Sequence, residues 1–600
     1  MNQQKAKERT RLLTLGSNEV RLQGSFSDWI DHRFVLLCAF LLILMVALQF
    51  GSVIQESQTN DEGVHLASGY SYWVAGDYRM DPTHPAFARM LAALPMLFMK
   101  LDSHLDSEAW NHSQAVKYAD LLLYNNRIPA DKIWLCCRSV IIALTALLGI
   151  WMAWWTRKHF GSNIALLALV LFSFDPNLIA HGRYVTTDLP VTLFIFLTCT
   201  LWADFLSAPS TKKLLLASVA LGLALATKYS AIFLIPVLPT VYCVAWFSKR
   251  ARRSLSLRKF ISTVAVMNVV AVSVVALVYA PEVIGSIHFL KTGVAPANIA
   301  VRPLASRLPQ NKILGRVLAR TVSTIHLPSY RYLIGLGYQT RQGLTGHPAY
   351  LLGHFSNDGW RMYFPVAFLV KTPTATLLAC IFALAAVLVV RRPPRKGDLI
   401  LWISIPPIVY FALSMVSHLD IGVRHILPVY PFLYVILAIA VCDYVRPVLR
   451  KWFLLTVVIL VTTLAVESLA IYPDYLSFFN WASGGPDNGS RYLLDSNIDW
   501  GQNVKKLSRY LAKNSLYPVC PAIFGNGQTQ LDYYGVSPHA RGWPIVRTDW
   551  SSDCVAAVSI NFLRGVFVSE KAFATLRQRQ PDAIVGHSIY IYDLRSKHNR

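Results

Sequence analysis

A chain of 600 residues with 57 Lys and Arg against 33 Asp and Glu, a formal net charge of +24, could in principle be a set of soluble domains or a nucleic-acid binder. Composition excludes the first: 54% of residues are hydrophobic, only 15% are charged, and mean hydropathy is +0.40. The second is excluded by where the charge lies, between apolar runs of roughly 20 residues, each able to cross about 30 Å of hydrocarbon as a helix.

Residues 1–33 open with "MNQQKAKERTRLL", basic and polar, and no small-residue cleavage site follows in the run from Phe34. The start therefore reads as a retained anchor rather than a signal peptide. About eleven spans are predicted, over 34–53, 134–155, 163–179, 189–207, 213–228, 230–247, 260–281, 373–390, 399–417, 426–444 and 453–472. The body over 34–472 is thus expected to be a mainly α, polytopic membrane domain. Basic clusters alternate along it: Arg157 and Lys158; Lys212 and Lys213; "SKRARRSLSLRK" at 248–259; "RRPPRK" at 391–396; Arg446, Arg450 and Lys451. Positive charge collects on the cytoplasmic side of membrane proteins. The alternation predicts a multi-pass protein of the cell inner (plasma) membrane with a cytoplasmic N-terminus. Residues 54–133, 180–188, 282–372, 418–425 and 473–600 are then periplasmic, and no nucleic acid is expected as a partner.

Two outer loops are too long to be structureless connectors. "HPAFARMLAALPMLFMK" at 84–100 has helical apolar spacing too short to span and is expected to lie along the membrane surface. The 282–372 loop, rich in Pro, Gly, Arg and Tyr, is expected to pack over the body. Residues 473–600 read as a small α/β domain, with "VKKLSRYLAK" an amphipathic helix and "CVAAVSINF", "GVFVSE" and "HSIYIYDL" short strands. Of nine cysteines only Cys520 and Cys554 fall in this tail, where a disulfide and two free thiols both stay open. Cys/His spacings for a structural metal are absent.

Polar residues at helix mouths are costly and mark function. On the outer side they gather in several segments: Asp61 and Glu62 after the first span; Asp77, Arg79, Asp81, His84 and Arg89 in "DYRMDPTHPAFAR"; Asp175, His181, Arg183 and Asp188 in "FDPNLIAHGRYVTTDLP"; Lys228 in "ATKYSA"; and Asp420, Arg424 and His425 in "SHLDIGVRHILPVYP". Cations beside carboxylates at a bilayer surface suit a lipid-borne phosphate, with Arg giving bidentate contacts and Lys a point charge. A nearby carboxylate can act as general base toward an acceptor hydroxyl. A proton or ion pathway would need mid-helix carboxylates, which are few. Gly-rich phosphate loops, HExxH and GxSxG are missing, so ATP-driven and serine-hydrolase chemistry lack support.

"NDEGVHLASGYSYWVAGDYRMDPTHPAFARMLAALP" resembles the first outer loop of GT-C fold glycosyltransferases of the protein O-mannosyltransferase and aminoarabinose-transferase type. "HGRYVTTDLP", "LALATKYSAIFLIP", "LLGHFSNDGWRMYFPVAFLVKTP" and "DIGVRHILPVYPF" extend the likeness in order. "YLSFFNWASGGPDNG" with "DSNIDWGQNVKKL" is similar to the tail of a bacterial subgroup. The resemblance implies a polyprenyl-phosphate-linked sugar donor, with Asp61 as catalytic base, Glu62 beside it and Asp188 as the second acidic position. It implies donor-phosphate contacts from Lys228 and Arg424, with His84 and Arg89 at the His-Pro element; Arg183 and His425 join them as donor-phosphate candidates from the outer cations. The family's second Pro after the His-Pro element is Ala86 here, and its usual Lys is replaced by Arg89.

The expectation is therefore an inverting glycosyltransferase acting on the periplasmic face, with membrane lipid around it and a protein, lipid or glycan acceptor. A lipid phosphate is already a competent leaving group, so no cofactor is required; Mg or Mn stays open. The rival reading is a multispanning lipid or glycan transporter or flippase, which would predict charge on both sides of a central cavity and two related halves.

Overall fold

The computed structural model describes residues 2–247, 256–282, 330–390, 396–449, 451–525, 527–536 and 554–595. The basic segments 248–255 and 391–395, and 283–329 of the long outer loop, lie outside the described residues. The protein is mainly helical, and all eleven apolar runs lie on helices. Seven of these helices are long and apolar enough to cross a membrane among the described residues: Asp28–Val53, Ala130–Phe160, Asp188–Ser207, Tyr229–Phe247, Leu257–Val278, Gly397–Ser414 and Phe453–Ala470. Tyr363–Lys371 and Thr374–Val390, bent by 107° at their junction, make an eighth if they count as one broken span. The other runs form shorter helices, Ser162–Ser173, Thr211–Thr227 and Val429–Val445.

The third run is broken for a local reason. Pro176 keeps the residue before it out of the helical region, so Asp175 turns to ψ 117° and its Oδ1 caps the Leu178 N–H at 2.9 Å. The chain then re-forms as the short helix Pro176–His181, which leads into the Arg183–Asp188 turn.

Helix Asp188–Ser207 is the axis of the bundle, with 94% of its apolar window buried. Its two ends are chemically opposite. Asp204 receives Lys158 Nζ at 2.6 Å, pairs with His159 Nε2 at 2.7 Å, and offers its carbonyl to Lys213 Nζ at 3.1 Å. Lys396 Nζ donates to the His159 carbonyl nearby. Three of the basic clusters named above thus converge on one end. Asp188 begins the other end, sixteen residues or about 24 Å away along the axis, near the thickness of a hydrocarbon core.

The sharp break at Thr372–Pro373 is held from outside. Glu467 accepts the Thr374 N–H and Oγ1 at 2.8 Å each and the Trp481 N–H at 3.0 Å. Asn480 Nδ2 donates to the carbonyls of Leu369 and Thr372 at 2.6 and 2.7 Å. The "YLSFFNW" segment therefore clamps backbone groups that the broken helix leaves free.

The C-terminal segment forms helix Val504–Lys513 and a four-stranded sheet of order β3 (Val519–Ala522), β4 (Val555–Ser559), β6 (Ile589–Asp593), β5 (Ala583–Val585). A separate hairpin pairs β1 (Ala349–Leu351) with β2 (His354–Ser356). β3 and β4 run parallel; the other pairs in the larger sheet are antiparallel. β4 is buried on both faces. Val555 and Ala557 join a small core with Val504, Leu507 and Leu511, whereas Ala556 and Val558 join the core of the membrane body. Cys520 and Cys554 are disulfide-bonded, 5.9 Å apart at Cα, which closes the alternative of two free thiols. The expected strand "GVFVSE" is not one: Gly565 and Phe567 take φ of 95° and 62°, outside the extended region. The helix over 504–513 and the strands over 555–559 and 589–593 match expectation, while β3 and β5 were not anticipated.

Candidate active site

The end of the bundle that carries Asp188 opens into a cavity of ≈ 720 Å³. Asp61 sits at the N-terminus of helix Glu62–Ala75, at its mouth, with 27% of its side chain exposed. The Arg424 guanidinium lies between two carboxylates, its Nη1 3.1 Å from Asp61 Oδ2 and 3.6 Å from Asp188 Oδ2. Lys228 Nζ pairs with Asp188 Oδ1 at 2.5 Å. Arg424 is also stacked on Trp500, 4.1 Å from the ring centroid. Four sequence-predicted residues from four outer segments are thus brought together.

His84 and His425 line the same cavity. Burial, reinforced by the cations Lys228 and Arg424, holds His425 well below the usual imidazole range, so it is neutral. His425 Nε2 and Arg424 Nε are buried and have no partner among the described residues. The wall beyond them is apolar, formed by Ile232, Phe233, Leu413, Val416 and Leu419.

Three predicted residues are elsewhere. Glu62 is fully buried and turned to Arg138, with Nε···Oε1 at 2.9 Å and Nη2···Oε2 at 2.5 Å; it also accepts the N–H groups of Thr59 and Val185 at 2.8 and 2.7 Å. Arg183 is fully buried against Glu56, at 2.6 and 3.1 Å, and donates to Tyr184 Oη. Arg89 is buried on Asp81 at 2.5 Å, with further bonds to Tyr72 Oη and the Asp81 carbonyl. None of the three lines the cavity. Each fixes a loop that carries a residue which does.

The tail supplies what the sequence reading did not assign. Asn60 N–H donates to the Trp500 carbonyl at 2.8 Å, Ser57 N–H to the Gln502 carbonyl at 2.9 Å, and Ser57 Oγ to the Gly501 carbonyl at 3.0 Å. These bonds hold the strand of chain leading into Asp61. On the other flank, Asn497 Oδ1 accepts the Val423 N–H at 3.0 Å and Ser496 Oγ donates to the Ile421 carbonyl at 2.5 Å. These fix the turn bearing Arg424. Gly422, at φ 156°, passes so close that a Cβ there would meet Ser496 Oγ at 2.5 Å. The "DSNIDWGQN" motif was visible in the sequence, but its reach across to both loops was not. Asp495 and Trp500 also line the cavity.

His65, Asp81 and His84 place ligand atoms within 4.8 Å of one another, a set able to hold a divalent cation. His65 Nδ1 has no partner among the described residues, while Asp81 is already engaged by Arg89. Asp61 and His65 share a helix face at i, i+4, the one sequence signal that could have found His65.

Residues 37–290 match the family model of dolichyl-phosphate-mannose-protein mannosyltransferases. An uncharacterized protein of Aquifex aeolicus (strain VF5) is 35% identical over 96 residues, 15% of this chain and 19% of that protein's length. ArnT of Cupriavidus metallidurans bound to undecaprenyl phosphate superposes with a TM-score of 0.45 at 13% identity, over 95% of this chain and 99% of its own. The Archaeoglobus fulgidus oligosaccharyltransferase tethered with an acceptor peptide gives 0.42 at 11% identity, over 85% and 64%.

Proposed function

We propose that this multi-pass membrane protein, whose residues 37–290 match the family model of dolichyl-phosphate-mannose-protein mannosyltransferases, is an inverting glycosyltransferase using a polyprenyl-phosphate-linked sugar. The observation that carries the reading is the joint of two carboxylates on one guanidinium, Asp61 and Asp188 on Arg424, inside a cavity that continues into an apolar wall.

The chemistry follows from that arrangement. The donor phosphate sits against Lys228 and Arg424, with the lipid along Ile232, Phe233 and Leu413. Arg424 has Nε to spare, and His425 offers Nε2. Asp61, the more exposed acid, takes the proton of an acceptor hydroxyl as its oxygen attacks the anomeric carbon. The bond from that carbon to the phosphate oxygen breaks, and its electron pair leaves on the phosphate, where the two cations hold the growing charge. Asp188, buried and paired to Lys228, positions both cations and does not need to titrate. Glu62, Arg183 and Arg89 act through their buried ion pairs as positioning residues. A divalent cation at His65, Asp81 and His84 would lie beside the donor; the leaving phosphate does not chemically require it.

The basic clusters at the far end of helix Asp188–Ser207 support a cytoplasmic placement of that end and a periplasmic site. Among the described residues, the cations around Asp204 pair with that carboxylate and with carbonyls and do not line the cavity, which gives the rival transporter reading no support. In the decisive experiment, purified protein in micelles receives a panel of polyprenyl-phosphate sugars, with hydrolysis or transfer as readout. Asp61→Asn abolishes transfer and retains polyprenyl-phosphate binding. Near-normal transfer by this variant would overturn the assignment.

A further inference from the structure

The C-terminal segment and His347 contribute a distinct part of the cavity lining: Asp495, Trp500, Phe524, Phe567 and His347. These residues differ in kind from the cation cluster. Phe524 and Phe567 stack with ring centroids 5.5 Å apart and planes 7° from parallel. His347 meets Phe567 edge-on at 5.8 Å. Phe567 is 45% exposed, an aromatic ring presented rather than buried. It is also held at φ 62°, a left-handed backbone that bulky residues rarely adopt without a constraint from their surroundings.

Asp495 is held the same way. Its φ is 57°, its N–H donates to Asn561 Oδ1 at 2.8 Å, and its Oδ1 accepts the Ser496 N–H at 2.6 Å. That leaves Oδ2 as a hydrogen-bond acceptor at the cavity wall. Two residues of opposite chemistry, the Asp495 carboxylate and the Phe567 ring of the stacked pair, are thus fixed in left-handed backbone conformations on one rim. Asn561, which fixes Asp495, and Phe567 belong to one short stretch of the C-terminal segment, so the rim is a unit.

We propose that this rim is the acceptor subsite of the transferase, and that it takes a saccharide: a pyranose ring whose C–H face lies on Phe567 and whose hydroxyls donate to Asp495. A flat apolar ring face matches an aromatic platform, and vicinal hydroxyls match a carboxylate with free lone pairs. The arrangement puts one hydroxyl of that sugar toward Asp61, which accepts its proton as the new glycosidic bond forms and the bond to the phosphate breaks. The inference rests on the transferase reading, and it names the acceptor class as glycan or sugar-bearing lipid.

The test uses the full chain in micelles loaded with undecaprenyl phosphate. Saturation-transfer NMR is run against methyl hexopyranosides and against a Ser/Thr peptide. The glycosides bind and the peptide does not; Phe567→Ala and Asp495→Asn each weaken glycoside affinity about tenfold, the loss of one stacking or charge-assisted contact. Affinity for undecaprenyl phosphate, read in parallel, stays unchanged in both variants and so reports that they are folded. Peptide binding without glycoside binding overturns the proposal, as does glycoside affinity indifferent to both substitutions. A matched loss of lipid-phosphate affinity assigns the rim to the donor and overturns it too. If the wild-type chain binds glycosides but no undecaprenyl phosphate, the transferase reading fails by itself.

Discussion

Asp61 and Glu62 are neighbours in sequence, yet the structure predicts opposite phenotypes for their isosteric amides. Glu62 is fully buried, and its carboxylate is the bidentate partner of Arg138, itself 1% exposed. Glu62→Gln keeps the shape but takes away the carboxylate paired directly with an interior guanidinium, leaving it only the charge of Glu56, which is itself bonded to Arg183. Breaking one side of a buried ion pair costs about 3–5 kcal/mol, a large part of the ~5–15 kcal/mol by which a domain is held folded. Arg138 keeps its bond to the Ser57 carbonyl at 2.8 Å and at most one of its two bonds to residue 62, to the amide oxygen. Asp61 is partly exposed and loses a bond that solvent can replace, worth about 1 kcal/mol or less. Denaturant or thermal unfolding in micelles therefore shows Glu62→Gln strongly destabilised and Asp61→Asn near wild type. The double variant Glu62→Met, Arg138→Met removes both charges together and recovers only part of the loss, since the Thr59 and Val185 N–H groups and the Ser57 carbonyl lose their side-chain partners. A Glu62→Gln protein that unfolds like wild type but fails to transfer would refute this and put Glu62 into the chemistry.

Arg424→Ala removes the cation shared by both carboxylates and weakens polyprenyl-phosphate affinity by roughly tenfold or more; unchanged affinity by titration would take Arg424 out of the site. Combined with Lys228→Ala, the two effects should be non-additive, because both cations are joined through Asp188. Burial pushes the Asp499 carboxyl up to about 7 from an ordinary value near ~4. A raised carboxyl favours the protonated folded state, so its contribution to stability is complete below about pH 4 and is lost as pH rises through about 7. Asp499→Asn removes that slope: unfolding midpoints measured from pH 5 to 8 fall less steeply than in the wild-type chain, and an unaltered slope would contradict the assignment.

How much of the site was legible depends on how each residue earns its place. The spans were legible because crossing hydrocarbon demands apolar runs of a set length. The opposed ends of the bundle were legible because charge alternates from loop to loop. Asp61, Asp188, Lys228 and Arg424 were legible because polar groups at a helix mouth are costly and stand out. Glu62, Arg183 and Arg89 look identical to them in sequence. Only packing decides that each has a buried carboxylate or guanidinium partner and turns from the cavity, since Arg138 lies seventy-six positions from Glu62 and Glu56 lies 127 from Arg183. The expected strand at Gly565–Glu570 failed for a similar reason: alternating apolar residues suggested extension, and the left-handed turn at Phe567 overrode it.

The amino-acid sequence by itself determined that this protein lives in a membrane, where its apolar helices lie, and which acids and cations gather at one end, because those follow from local composition and spacing; which of the eleven runs are long enough to cross was settled for seven of them, or eight with the bent pair, only by the helices they form. The tertiary structure alone decided that the C-terminal segment helps line the cavity that holds Asp61, Asp188 and Arg424. Trp500 and Gln502 reach the loop of Asp61 through their backbone carbonyls, which leave no mark in the identity of the residue that carries them, and Asn497 reaches the turn of Arg424 through its side-chain Oδ1 from 74 positions away.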